Sequence, residues 1–260
     1  MRRPRPLDAV VAIALNTFRE AVRDRVLYLL VAFAVLVILS SRLLAMVTVG
    51  NEEKIVKDLG LSAISIFGVG IAVFVGVSLV FKEIERRTVY TLLAQPVQRW
   101  QFVLAKFAGL LAVLAVHVVL MYVTLAFALW MRGATASGLA PAVWLILVEL
   151  AIVTAFALLF STLTNPILAA VWTSAVYVSG HLSWSLRLLA ERVPPGAGRW
   201  ACEAGYWILP NLDRLDRKAE VVHGLDLPAG FIAWSTLYGA CYVALVLALA
   251  CLAFERREFR

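Results

Sequence analysis

From Leu7 to Val26 the apolar residues Leu7, Val11, Leu15, Phe18, Val22 and Val26 recur at spacings of four and three. Asn16, Arg19, Glu20, Arg23 and Asp24 fill the other side. That division predicts an amphipathic helix over 7–26, and because an unbroken apolar run follows it directly, the helix is expected to lie along a membrane surface. Six apolar runs then succeed one another at residues 27–49, 61–81, 102–130, 141–163, 166–186 and 231–254. Each holds the roughly 20 residues that an α-helix needs to cross a hydrocarbon core about 30 Å thick. The fold class expected is therefore all-α integral membrane, one membrane domain over 1–260, with six transmembrane helices behind an N-terminal amphipathic elbow. The third run exceeds the minimum, so it is expected to tilt or to begin in the interface near Lys106.

Composition agrees with this pattern. Of 260 residues, 62% are hydrophobic and 16% charged, and the mean hydropathy is +0.88. A soluble domain carries about 25% charged residues, so a water-exposed globule is excluded. The formal net charge of +7 does not point to nucleic acid, since the basic residues sit at the ends of apolar runs and form no polar stripe. Cys241 and Cys251 lie inside the last run and Cys202 stands alone in a loop, which gives no disulfide framework. The basic start, MRRPRP, is followed by too long an apolar stretch for a signal-peptide core and by no small-residue cleavage site, so it is expected to stay attached.

Charge sets the expected orientation. Arg2, Arg3, Arg5, Arg19, Arg23 and Arg25 precede the first run; Lys82, Arg86, Arg87, Arg99 and Lys106 flank the second and third; Arg256, Arg257 and Arg260 follow the last. If the spans alternate, all three clusters fall on one side, which the positive-inside rule makes cytoplasmic, together with both termini. The other side receives residues 50–60, where Glu52, Glu53 and Asp58 outweigh Lys54 and Lys57, and the long stretch 187–230. That stretch is too polar to span and too rich in Trp, Tyr and Leu for a bare linker, so a small structured cap is expected, with Trp200, Tyr206 and Trp207 in the interface. Trp130, Trp144, Trp184 and Trp234 near run ends read as interfacial anchors, and Gly68, Gly70, Ala72 and Gly76 form a small-residue strip for close helix packing.

Recognisable catalytic chemistry is missing from the sequence. It contains no GxxxxGK[ST] phosphate loop and no GxSxG elbow, and His117, His181 and His223 are far apart without Cys or acidic residues at ligand spacing. Neither a cofactor nor a metal site is expected on this chain. Glu149, near the middle of the fourth run, is the one conspicuous polar residue, because a carboxylate at that depth costs roughly 2.5–3.5 kcal/mol on insertion scales. It is expected to face the bundle interior, with His117 and Arg42 as candidate partners, either lining a translocation path or fixing helix packing. His181, near the end of the fifth run, is expected to be interfacial.

The connection at 82–101 is the most specific part of the chain. With Phe81 before it and Phe102 after it, it reads FKEIERRTVYTLLAQPVQRWQF and continues VLAKFAGLL into the third run. Ile84, Val89, Leu92 and Leu93 gather on one helical side before Pro96, which predicts a short helix at the membrane face. The order Glu85, Arg86-Arg87, Thr88, Leu92-Leu93, Pro96-Val97, Arg99, Phe102, Lys106 and Gly109 resembles the signature of ABC-2 type transporter permeases, E(R/K)xTxxxLLxxPVxRxxFxxxKxxG. The surface-lying first helix, the large loop before the last run with its LPNLDRLD segment, and the basic tail FERREF are similar as well. Ala105 departs from the glycine frequent before the lysine.

The resemblance implies a permease subunit of an ABC exporter in the bacterial cytoplasmic membrane, not itself an enzyme, with no cofactor of its own. It implies a separate ABC ATPase subunit that carries ATP and Mg, and a second permease copy, most simply as a homodimer. Membrane lipid is the surrounding partner and nucleic acid has no place. Residues 82–101 would be the coupling element, Glu85, Arg86, Arg87 and Thr88 touching the ATPase or the elbow helix, and Pro96 and Arg99 fixing the re-entry into the third span. The short 161–165 turn, with Asn165-Pro166 as stop and restart, offers a possible second contact. Two further readings stay open at this level: a non-transport assembly or maturation factor working with an ATPase, and an intramembrane enzyme using Glu149 and His117.

Overall fold

In a computed structural model, the chain is described over residues 6–46, 52–85, 98–131, 133–194 and 196–256. Among these residues the secondary structure is entirely helical. In chain order the helices are α1 (Pro6–Val22), α2 (Arg25–Met46), α3 (Glu52–Glu85), α4 (Arg99–Trp130), α5 (Ala140–Leu163), α6 (Pro166–His181), α7 (Ser183–Arg192), α8 (Ala197–Ile208), α9 (Lys218–Val222) and α10 (Phe231–Arg256), with a 3₁₀ turn at Ser137–Leu139. Four of them hold apolar stretches long enough to cross a membrane: Glu52–Leu79 in α3, Arg99–Trp130, Ala140–Leu163 and Phe231–Glu255. α2 is apolar over Arg25–Ser41, and α6 extends for 16 residues. With its long apolar helices this is a multi-pass membrane protein.

Local chemistry sets the helix boundaries. The Asp24 carboxylate accepts the Val26 N–H at 2.9 Å where α1 gives way to α2, and Asn165 caps α6 by accepting the Leu168 N–H at 2.9 Å just before Pro166 at the first helical position. Two boundaries differ from the sequence reading. The stretch 50–60 is not a loop from Glu52 onward but the first turns of α3: Glu52 and Glu53 favour a helix N-terminus, Glu53 pairs with Lys57 at 2.5 Å in the i,i+4 arrangement, and Val56 is fully buried. The fifth run, taken as 166–186, breaks at Leu182, whose φ of −90° and ψ of 8° leave the α region, and α7 sets off separately.

α3 and α5 form the centre, in contact with each other, and most of their apolar stretches are buried. α2 lies on α3, α4 on α3 and α5, α6 on α5, and α10 on α5 and α4. Between apolar helices in lipid there is no water-driven attraction, so close van der Waals approach has to hold them together. Glycines supply it. A Cβ at Gly68 of α3 would stand 2.6 Å from a Leu150 methyl on α5, and one at Gly239 of α10 would stand 2.3 Å from a Val148 methyl. α1 packs on α4 through Ile13, Thr17 and Ala21, which are buried one turn apart. Its Val11 and Leu15, counted above as the membrane-facing stripe, are exposed. Gly109 permits this crossing, since a Cβ there would lie 2.6 Å from the Ala14 carbonyl oxygen.

Alternation of these helices defines two ends. One gathers the C-terminal end of α3, the N-terminal end of α4, the α5–α6 turn and the C-terminal end of α10. The other holds the N-terminal end of α3, the 3₁₀ turn, and α7, α8 and α9, of which α9 packs on α3 and α5. Trp130, Trp144, Trp184, Trp200, Trp207 and Trp234 are all exposed at this second end, six of the eight tryptophans in the chain. Such a belt is what a membrane–water interface selects.

Candidate functional site

At the first end two helices meet at Arg99. Its guanidinium Nη1 donates to the carbonyl of Phe254 at 3.1 Å and to that of Glu255 at 2.8 Å, so the first residue of α4 caps the C-terminal end of α10. Carbonyls there carry the negative end of the helix dipole and lack intrahelical donors, which makes a cation their natural partner. Next to this clamp the rings of Phe102 and Phe254 stack at 5.5 Å, and Lys106 lies over the Phe102 ring at 5.8 Å. Arg99 thus does more than fix the re-entry of the chain: it joins the start of one long helix to the end of another. Glu85 is the last residue of α3. The other expected coupling residues, Arg86, Arg87, Thr88 and Pro96, lie outside the described residues.

The second cluster is inside the bundle, toward the tryptophan-rich end. Glu149 is fully buried on α5, and its Oε1 is 2.8 Å from Nε2 of His181 on α6. Its Oε2 has no hydrogen-bond partner among the described residues. The partner expected from sequence was different: His117 is buried on α4, near Ile64 of α3, and neither ring nitrogen makes a hydrogen bond of good geometry. Arg42 stands on α2, four residues before its end. The His181 side chain retains 22% of its surface, against none for Glu149, so the buried carboxyl reaches the exterior of the bundle through one imidazole.

His181 is positioned from several directions. One turn earlier on α6, Tyr177 meets it edge to face at 4.8 Å. The segment before α9 closes the far side. A bare Gly180 lets it in, because a Cβ would lie 2.7 Å from Leu212 and 2.8 Å from the Pro210 carbonyl oxygen. In return the Leu212 N–H donates to the Gly180 carbonyl at 3.2 Å. Leu212 and Leu215 are buried with Leu145 and Ile152, and the Asn211 N–H donates to the Tyr238 hydroxyl of α10 at 2.8 Å. Asp216, paired with Lys218 at 3.4 Å, adds its charge to the surroundings of His181. Arg217 donates to Glu220 at 2.6 Å, and although burial works to raise the Glu220 carboxyl, this bond outweighs it and holds the group below its ordinary value.

Chemically, the cluster offers a carboxyl with one oxygen occupied and one open to a further donor, beside an imidazole that gives or takes a proton. Tyr177 and His181 escaped the sequence reading as members of it. Their i,i+4 spacing is visible in the sequence, but the cross-helix pair depends on the register of α6 against α5, which periodicity does not carry.

A family model described as ABC-2 family transporter protein matches residues 11–190. The chain belongs to the ABC-2 transporter family. As an ABC-2 permease it is a membrane subunit of an ABC transporter, and permeases of this family generally work with a separate ABC ATPase subunit. The matched stretch includes α1 from Val11 onward, Arg99 without its partners Phe254 and Glu255, and the Glu149–His181 pair, and it ends within α7. A search of curated proteins finds no match to the chain.

Proposed function

We propose that this ABC-2 permease couples ATP hydrolysis on a separate ATPase subunit, which binds the ATP and Mg, to export of a substrate across the bacterial cytoplasmic membrane. In this reading α2 and α6 complete a set of six spans, α1 is the elbow at the cytoplasmic face, both termini are cytoplasmic, and two copies assemble as a homodimer. Residues 82–101 dock on the ATPase through Glu85, Arg86, Arg87 and Thr88, with Pro96 and Arg99 holding the return into the membrane.

The observation that carries this proposal is the single unbroken helix α3. It has 34 residues, roughly 51 Å at 1.5 Å per residue, whereas a hydrocarbon core is about 30 Å thick. Its centre is packed between α2, α4, α5 and α6, and its last turn carries Glu85 directly into the connecting segment. A displacement applied at that turn reaches the middle of the bundle along one stiff element, and through Arg99 it reaches α4 and α10 together. Energy passes only where two states differ in contact energy, and a lever anchored to three helix ends provides such a difference. Glu149 and His181 lie where the helices moved by that lever enclose a polar spot, which favours a place for them on the substrate path.

The test is to reconstitute the permease with its ATPase and substitute Glu85→Ala or the Arg86-Arg87 pair by alanine. The complex should still assemble, while the hydrolysis rate loses its dependence on the permease. An unaltered rate in both variants would remove the coupling assignment.

A further inference from the structure

At the tryptophan-rich end, α7 and α8 pack against each other as a hairpin, and a polar pocket of about 460 Å³ opens between them. From α7 it is lined by Arg187 and Glu191, from α8 by Arg199, Glu203 and Tyr206, and from the following segment by Arg214. Its charges are unequally committed. Arg199 is neutralised by Glu203 at 2.8 Å, and among the described residues neither Arg187 nor Arg214 has an ion pair. Arg187 stands over the Tyr206 ring at 5.9 Å, which orients the guanidinium without discharging it. With Glu191 as the one other unpaired charge, the pocket keeps an excess of one positive charge.

Trp207 of α8, 80% exposed, also lines the pocket, and beside it the same two helices expose Trp184 and Leu188 on α7 and Trp200 and Ile208 on α8. These positions follow the helical period and sit next to the arginine faces, one residue out of phase. An aqueous surface would give such large apolar groups nothing to contact, whereas the membrane interface places acyl chains against them and headgroups at the level of the arginines. Guanidinium groups match phosphate in charge and fork geometry.

We propose that this pocket is a binding site for the phosphate of a membrane lipid headgroup, held by Arg187 and Arg214, with the exposed tryptophans resting on the upper acyl chains. The site is separate from the Glu149–His181 pair and does not depend on which side of the membrane the hairpin occupies. Bound lipid would fix the hairpin against the bilayer at the point where α6 ends.

The test uses the full-length permease purified in mild detergent. Dioleoyl phosphatidylglycerol is added, or the same mole fraction of dioleoylglycerol, which has the same tails and no phosphate, and retained lipid is counted by native mass spectrometry. Wild type should retain phosphatidylglycerol in preference to dioleoylglycerol. The R187A/R214A variant should lose that retention at least tenfold with an unchanged melting temperature, and Glu191→Gln should increase it, a gain that misfolding does not produce. Equal retention of both lipids, or retention by R187A/R214A equal to wild type, overturns the proposal. So does displacement of the lipid by millimolar inorganic phosphate or glycerol 3-phosphate, which would make this a site for a soluble anion.

Discussion

Replacing His181 with alanine removes the imidazole that lies 2.8 Å from Glu149 Oε1. Oε2 already has no partner among the described residues, so the variant leaves a fully buried carboxyl with neither oxygen satisfied. An unsatisfied buried polar group costs about 1–3 kcal/mol, whereas a single interhelical hydrogen bond in a membrane protein averages about 0.6 kcal/mol. His181→Ala should therefore destabilise the permease by about 1–3 kcal/mol, through desolvation more than through the lost bond. Glu149→Gln keeps an amide oxygen in place for His181 and should cost less than about 1 kcal/mol. The double variant E149L/H181L, which removes both polar partners, should be near neutral, as paired buried groups are when replaced by apolar ones. Unfolding of the purified permease by dodecyl sulfate titration, followed by tryptophan fluorescence, measures all three. With Glu149→Leu and His181→Leu measured alone to close the cycle, a coupling energy of at least about 1 kcal/mol is expected for residues in contact. Additive effects, or a double variant worse than His181→Ala, would refute the pairing. The same Glu149→Gln variant separates path from packing: transport lost with assembly intact places Glu149 on the substrate path, and assembly lost assigns it to packing.

Gly109→Ala drives a Cβ to 2.6 Å from the Ala14 carbonyl oxygen; because backbone does not swing aside as a side chain does, it should cost about 1–3 kcal/mol and lift α1 from α4, read as faster hydrogen exchange across Pro6–Val22, and unchanged exchange would contradict the packing. Gly239→Ala meets a Val148 methyl and should loosen α10 from α5 by a similar or smaller amount in the same unfolding assay. Arg99→Ala strips two donors from the end of α10 and should cost about 1–2 kcal/mol, moderated by partial exposure, with faster exchange confined to the last turn of α10 and partial recovery in Arg99→Lys. Tyr238→Phe leaves the Asn211 N–H without its acceptor and should cost about 1 kcal/mol, seen as increased protease sensitivity between α8 and α9.

The apolar runs, the amphipathic start and the family signature around Glu85–Gly109 were legible because each rests on local spacing. Helix periodicity marked α1, α4, α5 and α10 closely. It did not mark the face of α1 that packs on the bundle: Ile13, Thr17 and Ala21 are buried, since small and β-branched residues let α1 approach Gly109, while Val11 and Leu15 stay exposed. The helical start of α3 was available in the Glu53–Lys57 spacing and was outweighed by the charge density of the segment. The break at Leu182 has no proline or glycine at the position to announce it; it follows from the docking of Pro210 and Leu212 against Gly180, a tertiary contact. For the same reason the Glu149–His181 pair was out of reach. A buried carboxylate demands a partner, which the sequence does say; which helix turns the partner toward it depends on how α5 and α6 slide against each other.

The account rests on the connection between α3 and α4 facing the compartment that holds the ATPase. With Cys202, Cys241 and Cys251 replaced by serine, Thr88→Cys gives a single thiol in that connection for a membrane-impermeant maleimide. Labelling in inverted vesicles, suppressed when the ATPase subunit is bound, and none in intact cells is the predicted result. Labelling of intact cells would place the connection outside and contradict the orientation, the docking site and the coupling mechanism at once.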